Sequence, residues 1–166
     1  MPLLYEINVT IHVLAAMFWL GGMFFLGLVG APVLRSVEPA AVRQRIFHQL
    51  GLRFRAAGWW AIGVLLVTGT INLHYRGWLH WHTALGNMVF WRSGPGHTLA
   101  AKLAAVGAML LISAIHDFYL GPMAGRAAPG SPRAQMLRRR AALLARVNAI
   151  GGVIVVVAAV RLARGE

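Results

Sequence analysis

Long apolar runs alternate with short basic segments along the whole chain. The runs are Ile7 to Ala31, Ala56 to Tyr75, Thr98 to Leu120 and Ala142 to Leu162. Each is near or above the roughly 20 residues that a helix needs to cross about 30 Å of hydrocarbon. The pattern predicts an all-α fold, an integral membrane four-helix bundle. It forms a single transmembrane domain over residues 1–166, with spans at about 7–31, 56–75, 98–120 and 142–162.

Within that frame the polar and small residues are the informative exceptions. Span one carries Ala15, Ala16, Trp19, Gly21 and Gly22 and stops at Pro32. Span four carries Gly151-Gly152, and such small residues permit close helix approach. Helical spacing puts His12, Ala16, Trp19 and Met23 on one stripe. Lys102, Met109 and His116 lie two heptads end to end, nearly on one face.

The segment Pro39 to Arg55 is amphipathic, with Ile46, Phe47, Leu50 and Phe54 set among Arg43, Arg45, Arg53 and Arg55. It either extends span two beyond the bilayer or lies along the interface, which leaves the depth of His48 open. The connection Arg76 to Gly96 holds Trp78, Trp81, Trp91, His80 and His82, and such tryptophans favour the membrane interface. The two halves show no convincing internal repeat, which counts against an inverted-repeat transporter.

Composition agrees with a membrane protein. The chain is 58% hydrophobic and 12% charged, where a soluble domain is about one quarter charged. The net charge of +12 raises nucleic acid as a partner, but the basic residues have no soluble module around them, so the reading is no nucleic acid. Ten cations lie in the loops 35–55 and 126–140, against four on the other side. The positive-inside rule then places both termini on the outer side of a bacterial-type inner membrane, as a multi-pass protein. The first run is too long for a signal peptide and reads as a retained span. The chain has no cysteine, which excludes disulfides, thiolate metal sites, iron–sulfur clusters and c-type haem attachment.

The candidate chemistry comes from ionisable groups at membrane depth, which are costly and therefore point to function. His12, His74, His97 and Lys102 form a predicted outer cluster, with Glu6, Asn8 and Asn72 nearby. His116 falls roughly 27 Å down span three, with Asp117, Arg146, Asn148 and His48 as predicted neighbours and Asp117–Arg146 as an orienting ion pair. Imidazole is the commonest protein ligand for b-type haem iron. The first expectation is therefore one or two haem b groups. His12 and His74 would hold the outer one, with Lys102 or Arg76 on its propionates, and His116 with His48 an inner one. Arg146 and Asn148 are candidates for a haem propionate or a quinone head. A continuous second span would set His48 about 39 Å from His74 along the axis. The bland alternatives are solvated loop histidines at 80 and 82, interfacial residues at 74 and 97, and a snorkelling Lys102.

His12 followed by Trp19, Gly21, Gly22 and Pro32, with Arg53, Trp59, Trp60 and Thr68-Gly69, resembles the copper-resistance D family. Lys102, His116 and Arg146-Val147-Asn148 resemble the HemJ group of haem-binding protoporphyrinogen oxidases. That resemblance implies functional roles for His12 and Lys102, the latter a catalytic candidate. The acidic and basic signature expected before the HemJ second span is missing here.

The leading expectation is a b-type haem membrane redox protein, a possible oxidoreductase exchanging electrons with quinone, quinol or an outer-side redox partner, and a possible homo-oligomer in the lipid bilayer. The alternative is copper binding or transport through His12, His74, His80, His82, His97 and Met88. Imidazole suits copper, although Cu(I) favours sulfur ligands. A third possibility is an accessory subunit without a cofactor.

Overall fold

The computed structural model describes residues 2–80, 82, 84, 86–128 and 130–165, so Trp81 lies outside the described residues. Its elements are α1 (Pro2–Phe25), α2 (Ala31–Arg35), α3 (Ala40–Tyr75), α4 (Met88–Trp91), α5 (Gly94–Ala114), α6 (Gly121–Arg126) and α7 (Pro132–Ala163). Short wide-turn segments, Leu26–Gly30 and Ile115–Leu120, join α1 to α2 and α5 to α6. Four apolar helical stretches long enough to cross a membrane result: Leu3–Arg35, Ala40–Tyr75, Gly94–Arg126 and Pro132–Ala163. The fold is all-α, and no strand occurs among the described residues.

The wide turns follow from proline. Pro32 and Pro122 have no N–H, and their rings crowd the carbonyl four residues back. The residue before each proline reaches one carbonyl further, Ala31 N–H to the Leu26 carbonyl and Gly121 N–H to the His116 carbonyl. Such i→i−5 turns occur often at functional positions. Helix starts are conventional. The Ser93 hydroxyl accepts from Gly96 N–H and the Ser131 hydroxyl from Ala134 N–H, both at 3.2 Å, with proline in the first turn of each helix.

Helix α3 is unbroken over 36 residues. The amphipathic stretch around Arg43 to Arg55 therefore extends the second span and does not lie flat. His48 and His74 stay 26 residues apart on one helix, about 39 Å.

The helices associate as two hairpins, α1 against α3 and α5 against α7, with α1 also touching α7. Small residues bring the backbones together. A Cβ on Gly58 would stand 3.6 Å from the Trp19 ring, and one on Gly151 only 2.9 Å from Met109 Cγ. These two contacts reveal an internal repeat. Trp19 and Met109 each lie thirteen residues before the proline of their own helix, Pro32 and Pro122. Gly58 and Gly151 each lie nineteen residues after Pro39 and Pro132. Both hairpins begin on the same face of the bundle, so the halves repeat in parallel and not as an inversion. The expectation of no repeat is corrected; the expectation against an inverted one stands.

Most large apolar side chains face outward, Trp60 at 76% exposure and Val89 at 77% among them. In lipid this is no penalty, because the surrounding tails are as apolar as leucine. The buried interior is narrow and partly polar: Asn8, Thr68, Ser113 and Asn148 sit beside Ala61, Ile62, Leu99, Met109, Ala158 and Leu162.

Candidate functional site

Two polar sites lie at different depths. The first is near the face that carries the chain termini. His12 Nδ1 is 2.8 Å from Thr68 Oγ1. The Thr68 hydroxyl donates its own proton to the Val64 carbonyl at 2.6 Å. Its oxygen is therefore the acceptor toward His12, which assigns the proton of a neutral His12 ring to Nδ1 and leaves Nε2 with a lone pair for a ligand. Gly69 supplies the room, since a Cβ there would stand 3.4 Å from His12 Cε1. Asn8 ties the same helices together, donating to the Thr68 carbonyl at 3.0 Å and to Asn72 Oδ1 at 2.8 Å.

Around this ladder the charge is positive. The half-buried Lys102 lies within electrostatic reach of His12, and Arg76 within reach of Lys102. Arg76 is fixed by a 2.9 Å bond to the Leu162 carbonyl and lies 5.1 Å over the Trp78 ring. Lys102 has no ion-pair partner among the described residues.

His74 is placed differently from His12. It is exposed at the end of α3, six residues beyond Thr68, or about 9 Å further along the axis. The structure brings His74 to His80 instead, with ring centroids 6.0 Å apart. His82 and His97 are also exposed on this face, and Met88 is 67% exposed. The tryptophans at 78 and 91 pack on Phe90, at 5.3 and 5.4 Å.

The second site is near the arginine-rich face. The Asp117 carboxylate takes His116 Nδ1 on one oxygen at 2.8 Å and Trp59 Nε1 on the other at 2.9 Å. Arg55 donates to the Asp117 carbonyl at 3.1 Å and stands 5.7 Å from the centre of the Phe118 ring. The wide turn over Ile115–Leu120 holds this group.

The expected Asp117–Arg146 pair does not form among the described residues; the carboxylate turns to His116 and Trp59 instead. Arg146 is exposed, whereas Asn148, two positions on and on another side of the helix, is 4% exposed. Asn148 Nδ2 reaches Ser113 Oγ at 2.9 Å and Met23 Sδ at 3.6 Å. Nor does His48 join His116. A Cβ on Gly125 would stand 3.0 Å from His48 Nδ1, while His116 lies at the level of Arg55 and Trp59. Arg55 is seven residues, about 10 Å, along α3 from His48.

Thr68, Ser113 and Trp59 were missed as partners of His12, Asn148 and Asp117. One signal was available for the first. Asn8 and His12 are four apart on α1, and Thr68 and Asn72 four apart on α3, so each pair marks one polar face.

Among the described residues no group of three or more His, Asp or Glu side chains is arranged to hold a metal ion. What the fold defines is a four-span membrane protein with a histidine-bearing polar site toward each end. Residues 48–162 match the family described as copper resistance protein D. With more than half of the chain matched, it belongs to that family. A stretch of 120 residues is 30% identical to an uncharacterized protein of Aquifex aeolicus (strain VF5), covering 72% of each chain. No solved structure matches.

Proposed function

We propose that the chain is a copper-handling membrane protein that captures copper through His74 and His80 and passes it inward to His12. The observation that carries the reading is the imidazole pair, 6.0 Å between centroids, at the mouth of the span that holds His12's partner Thr68. Two imidazoles at this separation can turn their nitrogens onto one ion, and imidazole suits copper in both oxidation states. Family membership supports the copper, and the ten-to-four cation count supports an orientation with this face outside a bacterial inner membrane. The test is copper titration of the purified protein with metal analysis. His74→Ala and His80→Ala should each remove the high-affinity copper; wild-type binding in both variants would refute the assignment.

A second reading, a b-type haem redox protein, draws support from one feature: Lys102 lies within reach of His12 and Arg76 within reach of Lys102, with no ion-pair partner for Lys102 among the described residues, a setting that suits an anionic group such as a propionate. The bis-histidine arrangement does not fit, because no second imidazole shares the depth of His12 and the His12 ring already fills the space over Gly69. A pyridine haemochrome spectrum separates the readings, since only a haem protein gives the reduced b-type bands.

A further inference from the structure

We propose that a cleft at the start of α7 holds one anionic phospholipid from the leaflet on the arginine-rich face, with its phosphodiester between Arg139 and Arg140. The proposal is independent of the copper reading, since it concerns a different surface and a different ligand.

The cleft has a volume of about 270 Å³ and is lined by Pro132, Gln135, Met136, Arg139 and Arg140. These residues share one side of the helix, at the i, i+3, i+4, i+7 and i+8 spacing. That side faces away from the bundle. Ala134 and Leu137 are buried against it, whereas Gln135, Met136, Arg139 and Arg140 are exposed. Arg138 turns elsewhere, donating from Nε to the Ala134 carbonyl at 3.3 Å. Gln135 is held by a 3.1 Å bond from its Nε2 to the Gly130 carbonyl.

The charge of the cleft is not neutralised from within. Neither Arg139 nor Arg140 has an ion-pair or hydrogen-bond partner among the described residues. The chain has four acidic residues against sixteen basic ones. On this face Glu38 is bonded to Arg43 at 2.7 Å and Asp117 to His116 at 2.8 Å. The counter-charge must come from outside, and at this level the outside is a layer of lipid headgroups. The apolar run of span four begins at Ala142, two residues past Arg140, or about 3 Å. Two adjacent guanidiniums offer paired N–H donors that match the anionic oxygens of a phosphodiester.

The surface below the cleft favours a lipid over a soluble phosphate. Leu143, Val147, Ile150 and Ile154 continue the same side of α7 and are all exposed. From Leu143 to Ile154 is eleven residues, about 16 Å, close to half of a hydrocarbon core about 30 Å thick. A cation pair above an apolar stripe of that length has the dimensions of one phospholipid. The first hairpin has no equivalent. Arg139 and Arg140 lie seven and eight residues after Pro132, where Ile46 and Phe47 lie seven and eight after Pro39. One lipid per chain is therefore expected.

The experiment is native mass spectrometry of the full chain released from detergent micelles and titrated with phosphatidylglycerol, phosphatidylcholine or glycerol phosphate. Wild type should retain one phosphatidylglycerol, in preference to phosphatidylcholine, whose headgroup has no net charge. A basic residue near a membrane surface contributes about 5-fold to anionic-lipid binding, so R139Q/R140Q should weaken retention about 30-fold. Both arginines are exposed, and circular dichroism should show an unchanged helix content. The control R45Q/R53Q removes the same charge from exposed positions of α3 and should retain the lipid nearly as wild type does. Retention in R139Q/R140Q that matches R45Q/R53Q overturns the cleft in favour of diffuse charge. Phosphatidylcholine held as well as phosphatidylglycerol, or no lipid retained by wild type, also overturns it. Glycerol phosphate held as tightly as the lipid assigns the arginines to a soluble phosphate and overturns the lipid.

Discussion

Replacing Thr68 by valine isolates the interaction that orients His12. Valine matches threonine in shape but removes Oγ1, which accepts from His12 Nδ1 at 2.8 Å. The Asn8 bond survives, because it goes to the Thr68 backbone carbonyl. Hydrogen bonds between membrane helices average about 0.6 kcal/mol in double-mutant cycles and reach about 1.7. A part-buried imidazole donor paired with a hydroxyl that is itself polarised toward Val64 belongs in the upper half of that range. The expected coupling between His12→Ala and Thr68→Val is therefore about 1–1.7 kcal/mol in unfolding free energy. Freed of its acceptor, the imidazole also loses the assigned tautomer, so copper binding at His12 should weaken in Thr68→Val. Thr68→Ser, which keeps the hydroxyl, should retain both. The assay is reversible unfolding in mixed micelles for the four corners of the cycle, with Cu(I) competition titration alongside. A Thr68→Val cost that is the same in the His12→Ala background as in wild type would refute the geometry.

Gly151→Ala should destabilise the α5–α7 hairpin by about 1–3 kcal/mol through overpacking, because its Cβ would crowd Met109 Cγ at 2.9 Å, whereas Gly58→Ala, with 3.6 Å to Trp19, should be close to neutral; thermal unfolding of both variants checks the contrast. Asp117→Asn keeps an acceptor for Trp59 but loses the carboxylate partner of His116, so it should lower the thermal unfolding midpoint, whereas Arg146→Gln, at an exposed position, should leave it unchanged. Cysteines placed at Ser36 and Ser131 should resist an impermeant thiol reagent in intact cells, since both lie in the arginine-rich loops; efficient labelling of both would reverse the orientation and exchange the two sites.

The membrane fold was legible because its signal is collective. Four runs of apolar residues far exceed what chance polar substitution could hide, and the helices fall where the hydropathy puts them. The helix ends were less legible: α3 begins at Ala40 and α7 at Pro132, well before the apolar runs at Ala56 and Ala142. An amphipathic extension reads equally as an interfacial helix. Site partners were harder still. His12, Lys102 and His116 stand out as ionisable residues in hydrocarbon, but what each one touches depends on rotation about the helix axis. A 100° step separates neighbouring residues, so Arg146 and Asn148 look adjacent in sequence and point to different surroundings. His12 and His74 look matched in depth in the sequence because span ends read from hydropathy are placed only to within about two to four residues.

The repeat explains where the ionisable residues fall. Position in a hairpin fixes depth, and His12 and Lys102 occupy the same position, twenty residues before Pro32 and Pro122. The position of His12's partner also has a counterpart, Thr68 and Arg161 each lying twenty-nine residues after the proline that precedes its helix. Here the halves part. Thr68 accepts from His12 and is buried, whereas Arg161 is a second cation and is exposed. One half therefore orients a neutral ligand atom, while the other has an ammonium with no ion-pair partner among the described residues. Toward the arginine-rich face the difference reverses. The first hairpin has Leu26 and Gly27 in its wide turn, where the second has His116 and Asp117. Each half thus supplies the polar pair that the other lacks, one at each end of the bundle, and the α1–α7 contact that joins the halves brings Met23 to Asn148 between them.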